Sequence, residues 1–395
     1  MAPDIAAPVA GPLAGVTVLD LSTVGPAARA TRLLADYGAT VVKVGAVPGR
    51  GPAGTTPPPY AYSAQRAMRR VQLDVRHADG RDAFLALAAT ADVVVESFRP
   101  GVVDRLAIGY EALRAVNPGI IYCSTSGYGQ TGPRSTWAGH DLNYLAVSGF
   151  LASCGPRADG GPPLPGATIA DAAAGGMHAA LAITAALFSR RLTGEGTFLD
   201  VSVADGALWL MSLAVDEHLA TGSEPGPGHD VLTGRYACYD TYRAADGRWL
   251  AVAAIEAKFF ANLCRALACE QWIDRQYDDD AQEELRAAMA TAFAGRDRDT
   301  WVALLSGDDT CVAPVQAVSE IAHDPQFLDR AAVVEAKDTD GRIFCQVGAV
   351  LAGMSPVPTP VVVRPPAVTD TDDLLAAAGL DPTRIAELRR EGVLA

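Results

Sequence analysis

Residues 15–44 read GVTVLDLSTVGPAARATRLLADYGATVVKV, and the architecture of the chain turns on this stretch. Apolar side chains alternate through GVTVLDLS (15–22), the pattern of a buried strand. AARATRLLADYGA (27–39) carries its apolar residues at helical spacing and closes near Gly38, a residue type suited to the left-handed end of a helix. TVVKV (40–44) is a second short apolar strand. Strand, helix and strand within about thirty residues make a βαβ unit, whose crossover is right-handed and whose strands are parallel. The alternation continues outward with helix GRDAFLALAATA (80–91), strand DVVVESF (92–98), helix GYEALRAVN (109–117) and strand IIYCSTSG (120–127). A parallel, doubly wound, Rossmann-like α/β sheet is the predicted fold of this half.

The first strand-to-helix turn holds one glycine, Gly25, and no GxGxxG, which removes the main support for a nicotinamide dinucleotide. Walker A, GxSxG and HExxH motifs are also absent, and with them the commonest NTPase, serine hydrolase and zinc protease readings. Ser22 and Ser126 have no local signature of a triad nucleophile.

With 395 residues, 49% of them hydrophobic and 20% charged, the chain has globular composition and length for more than one domain. A net charge of -14 opposes an extended grip on nucleic acid or an anionic membrane. An anionic ligand has to be met by a few placed cations. Seven cysteines without metal-ligand spacing indicate reduced thiols, a cytoplasmic protein and no metal site; Cys264 and Cys269 read as core residues. Met1–Pro12 lacks the basic and apolar regions of a signal peptide, and runs such as Leu208–Val215 are too short to span a bilayer.

ATIADAAAGGMHAALAITAALFSRR (167–191) is long, almost wholly apolar and basic at its end, as expected of one buried helix at the centre of a large fold. TGSEPGPGHD (221–230) then reads as a linker. YACYDTYRAADGRWLAVAA (236–254) is a hairpin around Ala245-Asp246-Gly247, opening a smaller α+β domain. SPVPTPVVVRPPA (355–367) is an extended connector before a pair of terminal helices. The expected division is a large domain from 1–220, the linker 221–230, a small domain 231–330 and a C-terminal segment 331–395.

Four groups of residues could carry chemistry. Asp171 stands near the start of the apolar helix, either as an N-cap or as a functional carboxylate, and Gly175-Gly176 beside it implies a close backbone or ligand approach. His140 and Asp141 in STWAGHDLNYLAVSGF (135–150) are a loop histidine bonded to backbone and a helix cap, or an acid/base histidine with an aspartate that positions a cofactor. Glu256 in VAAIEAKFF (252–260) initiates a helix or serves a site. Lys43 and Arg99 fall at carboxyl ends of predicted strands, where open α/β sheets receive ligands, and Arg66, Arg69 and Arg70 add cations nearby.

These stretches together resemble the family III CoA-transferase/α-methylacyl-CoA racemase superfamily, also called CaiB/BaiF. The resemblance runs through GPLAGVTVLDLS, LLADYGATVVKV, ADVVVESFRPGVVDRLAIGYEALRAVNPGIIYCSTSGYGQTGP, AGHDLNYLAVSG, IADAAAGG, LTGEGTFLDVSVADG, YDTYRAADGRWLAVAAIEAKFF and CVAPV, nearly the whole chain. It implies a Rossmann-like large domain completed by the C-terminal segment, a small domain, and an interlocked homodimer with active sites between large and small domains of different subunits. The substrate it implies is a coenzyme A thioester, with no prosthetic group, nucleic acid or membrane partner.

In the racemase branch a GHD histidine and a later aspartate flank the α-carbon of a 2-methylacyl-CoA, which places those roles on His140 and Asp171 with Glu256 in support. Inversion through an enolate needs an acid/base group on each face. Lys43, Arg66, Arg69, Arg99, Asp141 and Tyr144 are the residues assigned to the CoA moiety. In the transferase branch the aspartate, again Asp171, is a nucleophile that forms an anhydride with the acyl group and then a thioester with CoA. The chain departs from the family pattern at Gly45, at Arg66-Ala67-Met68-Arg69 and at Leu232-Thr233-Gly234-Arg235.

Overall fold

The computed structural model describes residues 11–49, 66, 68–349, 360–365 and 367–395. Residues 1–10 of the N-terminal stretch, Ala67 of the altered arginine run, and residues 355–359 and Pro366 of the connector lie outside the described residues. The chain forms two compact units, one of Met1–Phe150, Leu164–Met211 and Asp324–Ala395, the other of Leu151–Pro163 and Ser212–His323.

The first unit is built on six parallel strands: β1 (Thr17–Asp20), β2 (Thr40–Gly45), β3 (Arg69–Gln72), β4 (Val93–Glu96), β5 (Ile121–Ser126) and β6 (Thr197–Ser202). Their order is β3-β2-β1-β4-β5-β6, all pairs parallel. The chain first winds outward from β1 to β3 and then returns to the other side of β1. The switch point therefore lies between the carboxyl ends of β1 and β4, where a sheet of this order opens a crevice.

Alternation along the strands sorts two cores. Leu19, Val42, Val71, Val94 and Tyr122 face Phe84 and Leu87 of helix Ala78–Thr90, and Leu375 and Leu388 of the two C-terminal helices, Thr371–Ala377 and Pro382–Arg390. Val18, Val41, Val93, Ile121 and Cys123 face the other way, onto helix α1 (Gly25–Asp36) and helix His178–Thr193. The last residues join the first unit through backbone bonds, with Asp74 N donating to Val393 O and Ala395 N to Gln72 O.

The apolar run 167–191 differs from the expected single buried helix. It begins as a π-helix, Ala170–Met177, and continues as the α-helix His178–Thr193. Only the small side is covered: Ala179, Ala180, Ile183 and Ala186 are buried, whereas Leu181, Phe188 and Leu192 are exposed. Ala170–Thr193 is long and apolar enough, by length and composition, to cross a membrane, and its small face packs onto the sheet core and α1.

Close packing explains the glycines of this region. A Cβ added to Gly175 would stand 2.5 Å from Pro26 Cβ, and one on Gly176 would stand 2.6 Å from Arg29 Cβ, both in α1. On the other side, a Cβ on Gly206 of the helix Val203–Leu210 would lie 2.1 Å from Ala174 O. The π-helix is thus clasped by two helices at backbone distance.

The second unit holds an antiparallel three-stranded sheet, Tyr239–Arg243, Trp249–Ala253 and Val312–Pro314, with the expected hairpin between the first two. Phe260, Leu263, Cys264, Cys269, Met289, Phe293 and Trp301 fill its core. All seven cysteines are free.

Candidate active site

The turn after β5 carries Gly127-Tyr128-Gly129-Gln130 and is fixed at its far end. Gln130 N donates to Asp200 Oδ2 at 3.0 Å and Gln130 Nε2 to Ser124 Oγ at 2.9 Å. From it an aromatic cluster rises under the GHD segment: Tyr128 meets Tyr144 edge-on at 5.2 Å and Trp137 at 6.1 Å. Tyr144 lies so close to Gly127 and Gly139 that a Cβ at either would fall 2.5 and 2.8 Å from its ring. Both glycines are required by that ring.

His140 is the N-cap residue of helix Asp141–Val147, its extended backbone (φ -133, ψ 176) turning the chain into the helix. Its N–H donates to Asn143 Oδ1 at 3.0 Å and its carbonyl accepts from Asn143 N at 2.8 Å. The residue is exposed. Tyr144, one turn later, is buried and spends its hydroxyl on Gly139 O at 2.7 Å. Burial first, then the charge of Asp171, pushes that hydroxyl up to about 12, so Tyr144 holds its proton and acts as a donor to the loop.

Asp171 is not a cap. Ile169 occupies the N-cap position without a side-chain bond, and Asp171 sits in the first turn of the π-helix. Its own N–H donates to Asp141 Oδ1 at 2.9 Å. That bond ties the GHD segment to the later turn and uses one carboxylate oxygen of Asp141, the residue assigned from sequence to positioning a cofactor. Gly25, at φ +77, lies beside the Asp171 carboxylate: a Cβ there would be in ordinary contact with Asp171 Oδ2, at 3.9 Å. The first turn of α1, whose N–H groups have no partner inside the helix, therefore opens beside this carboxylate. Burial raises the Asp171 carboxyl above the usual carboxylate range and the neighbouring Asp141 raises it further, while Arg29 and then His140 pull it back. A carboxylate held this way is a poised proton acceptor. π-Helical turns recur at functional sites, because the extra residue redirects a side chain.

Lys43, Arg66 and Arg69, expected at the CoA site, are each met by a buried aspartate. Lys43 lies opposite Asp20 in the β1–β2 register and forms a buried ion pair with it at 2.6 Å. Asp20 also accepts from Ser22 N at 2.7 Å, Ser22 Oγ at 2.6 Å, and Thr31 Oγ1. Arg66 is buried against Asp36 at 2.6 Å and donates to Val347 O at 3.0 Å. Asp36 ends α1, and Arg69 begins β3, where its Nε lies 3.9 Å from Asp370 Oδ1. Both arginines are counterions to buried aspartates, and Arg69 stands level with Val42 of β2. Spacing could not show this, because the partners Asp36 and Asp370 lie far along the chain. Arg99 is exposed in the turn after β4, at the crevice edge. Glu256 belongs to the second unit, exposed at the N-cap of helix Ala257–Ala266 with Phe260 N on its carbonyl at 3.0 Å. Among the described residues no three His, Cys, Asp or Glu side chains converge as metal ligands.

Arg29, Thr168 and Tyr128 belong to the surroundings of this site and were not marked by sequence. Arg29 is the one cation among small residues at the start of α1. That is a signal in hindsight, but its partner Thr168 is 139 positions away.

Fold and site together define a Rossmann-like α/β protein with a histidine and a carboxylate brought together beyond the carboxyl edge of its sheet. The model of CoA-transferase family III matches residues 13–371, and the chain belongs to that family. It is 32% identical over 394 residues to the α-methylacyl-CoA racemase of Homo sapiens, covering 97% of each chain. It is 31% identical to the acetyl-CoA:oxalate CoA-transferase of Acetobacter aceti, covering 82% of this chain and 86% of that one. Among solved structures, a CaiB/BaiF family protein from Brucella suis superposes with a TM-score of 0.76 at 25% identity, over 94% of this chain and all of that one.

Proposed function

We propose that the protein epimerises the α-carbon of a 2-methylacyl-CoA thioester through His140 and Asp171. The observation that carries this reading is the bond from Asp171 N to Asp141 Oδ1, which brings the GHD histidine and the first-turn aspartate of the π-helix into one site. One of the two side chains takes the α-proton. The C–H electron pair moves into the thioester carbonyl to give an enolate, and the other side chain returns a proton to the opposite face. The first-turn N–H groups of α1, beside Asp171, are suited to stabilise the oxygen as it gains charge. The likeness to named racemases over almost the full chain supports the same reading.

In this reading Arg99 meets a phosphate of CoA, Tyr144 and Asp141 set the loop that carries His140, and Glu256 has a supporting role in catalysis. Lys43, Arg66 and Arg69 act on CoA indirectly, through the buried pairs that hold the sheet. The large domain of this reading is the unit of Met1–Phe150, Leu164–Met211 and Asp324–Ala395, and the small domain is the unit of Leu151–Pro163 and Ser212–His323, in place of the boundaries at 220, 231 and 330 expected from sequence. The active protein is an interlocked cytoplasmic homodimer. Leu181, Phe188, Leu192 and Trp209, exposed in the single chain, are apolar surface of the kind a second subunit covers. No prosthetic group, nucleic acid or membrane enters the reaction.

A second reading rests on the same carboxylate. With Asp171 as nucleophile, acyl transfer through an aspartyl anhydride and an aspartyl-CoA thioester makes the protein a CoA-transferase, and the likeness to named transferases favours it. His140→Ala separates the two. Racemisation should be lost with the fold intact by circular dichroism, and full retained racemisation would remove His140 from the mechanism.

A further inference from the structure

We propose that Arg29 is a positioning residue for Asp171: from α1 it fastens the entry of the π-helix and sets a positive charge against the paired carboxylates of Asp171 and Asp141. This inference rests on the role of Asp171 proposed above and names what holds that residue in its reactive form.

Arg29 touches the π-helix on both sides of Asp171. Before it, Arg29 Nη2 donates to Thr168 Oγ1 at 3.1 Å, and Thr168 O in turn accepts from Ala172 N at 2.9 Å, where the helical bonding begins. Beyond it, Arg29 Cβ occupies the space that a side chain on Gly176 would need, 2.6 Å from that position, with Asp171 O only 2.9 Å from the same point. The guanidinium is thereby anchored to the residue that precedes the π-helix's N-cap rather than free to swing into solvent.

The charges give this anchor a purpose. Asp171 faces Asp141 and His140 from the GHD segment, Arg29 from α1, and the Tyr144 hydroxyl. Burial and Asp141 favour the protonated carboxyl, whereas Arg29 and then His140 favour the carboxylate. A base must be ionised to take a proton, and so must a nucleophile to attack an acyl group. His140 changes its own charge in the racemase cycle and cannot hold Asp171 ionised throughout. An arginine guanidinium, unlike an imidazole, is not part of that proton exchange.

The test is the pH profile of kcat/KM for both 2-methylacyl-CoA enantiomers, and of CoA transfer, in the wild type and in Arg29→Lys, Arg29→Met, Arg29→Gln and Asp171→Asn. For the direction in which Asp171 is the reacting carboxylate, Arg29→Met and Arg29→Gln should move the acid limb to higher pH. Activity on that limb should fall by roughly three- to tenfold, with the loss mainly in kcat. Arg29→Lys, which keeps the charge, should restore the limb. An unmoved limb in either folded neutral variant, or equal impairment of the lysine and neutral variants, overturns the role of Arg29. An inactive Asp171→Asn beside an unmoved limb leaves the proposed function standing and removes only Arg29. Full activity in Asp171→Asn overturns both.

Discussion

Replacing Glu96 with glutamine should flatten the dependence of stability on pH near neutrality. Glu96 ends β4 at the switch point, is 2% exposed, and accepts from Phe98 N at 2.6 Å. Burial pushes its carboxyl up to about 7 from an ordinary 4.5, with bonds from Ser124 and Phe98 N only partly offsetting that cost and Asp104 adding to it. The native state therefore binds this proton more tightly than the unfolded chain does. The stability that follows is fully present below about 4.5 and is lost as pH rises through about 7. The interval between those values corresponds to about 3 kcal/mol, an upper figure because the site can relax when ionised. Glutamine keeps the shape and the acceptor for Phe98 N but cannot ionise. Urea unfolding of both proteins at intervals from about pH 5 to 8 measures the effect. The wild type should lose up to about 2.5 kcal/mol relative to Glu96→Gln across that range. A constant difference between the two curves would refute the reasoning.

Three further substitutions address the frame of the site. Gly206→Ala drives a methyl group into Ala174 O and should cost about 1–3 kcal/mol by thermal unfolding, with activity reduced because the π-helix bearing Asp171 is displaced; unchanged stability and activity would contradict the close packing. Lys43→Met leaves Asp20 buried without its cation and should destabilise by about 3 kcal/mol, most of it recovered by adding Asp20→Asn; a CoA-binding defect with unchanged stability would instead make Lys43 a direct ligand contact. Arg99→Ala should raise KM for the CoA thioester about tenfold and alter stability by no more than about 0.5 kcal/mol, and an unchanged KM would remove Arg99 from the CoA site.

The parallel sheet was legible because its signals are local. GVTVLDLS and TVVKV alternate or run apolar within a few residues, and Gly38 closes the helix between them at φ +98. The same holds for the hairpin around Asp246-Gly247. The candidates His140, Asp141, Tyr144 and Asp171 were legible as residue types, and the structure joins them through a bond across thirty positions that no spacing rule contains. What sequence reading missed depends on partners distant along the chain. Arg66 looked like a ligand cation because its counterion Asp36 lies in another element, and Arg29 went unmarked because its partner Thr168 is 139 positions away. Helical periodicity cannot distinguish an α-helix from a π-helix over eight residues, so the widened turn at Asp171 was invisible. The exposed Leu181 and Phe188 depart from the expected buried helix, since an apolar stripe in sequence does not say which of its faces the fold covers.

The central claim is proton transfer at the α-carbon by His140 and Asp171. It is tested most directly by incubating a 2-methylacyl-CoA with the protein in deuterated water, a free carboxylic acid also present, and reading both acyl products by mass spectrometry. The account predicts one deuterium at the α-carbon, absent in His140→Ala and Asp171→Ala. An unlabelled acyl chain with CoA moved onto the free acid would contradict it and make Asp171 a nucleophile.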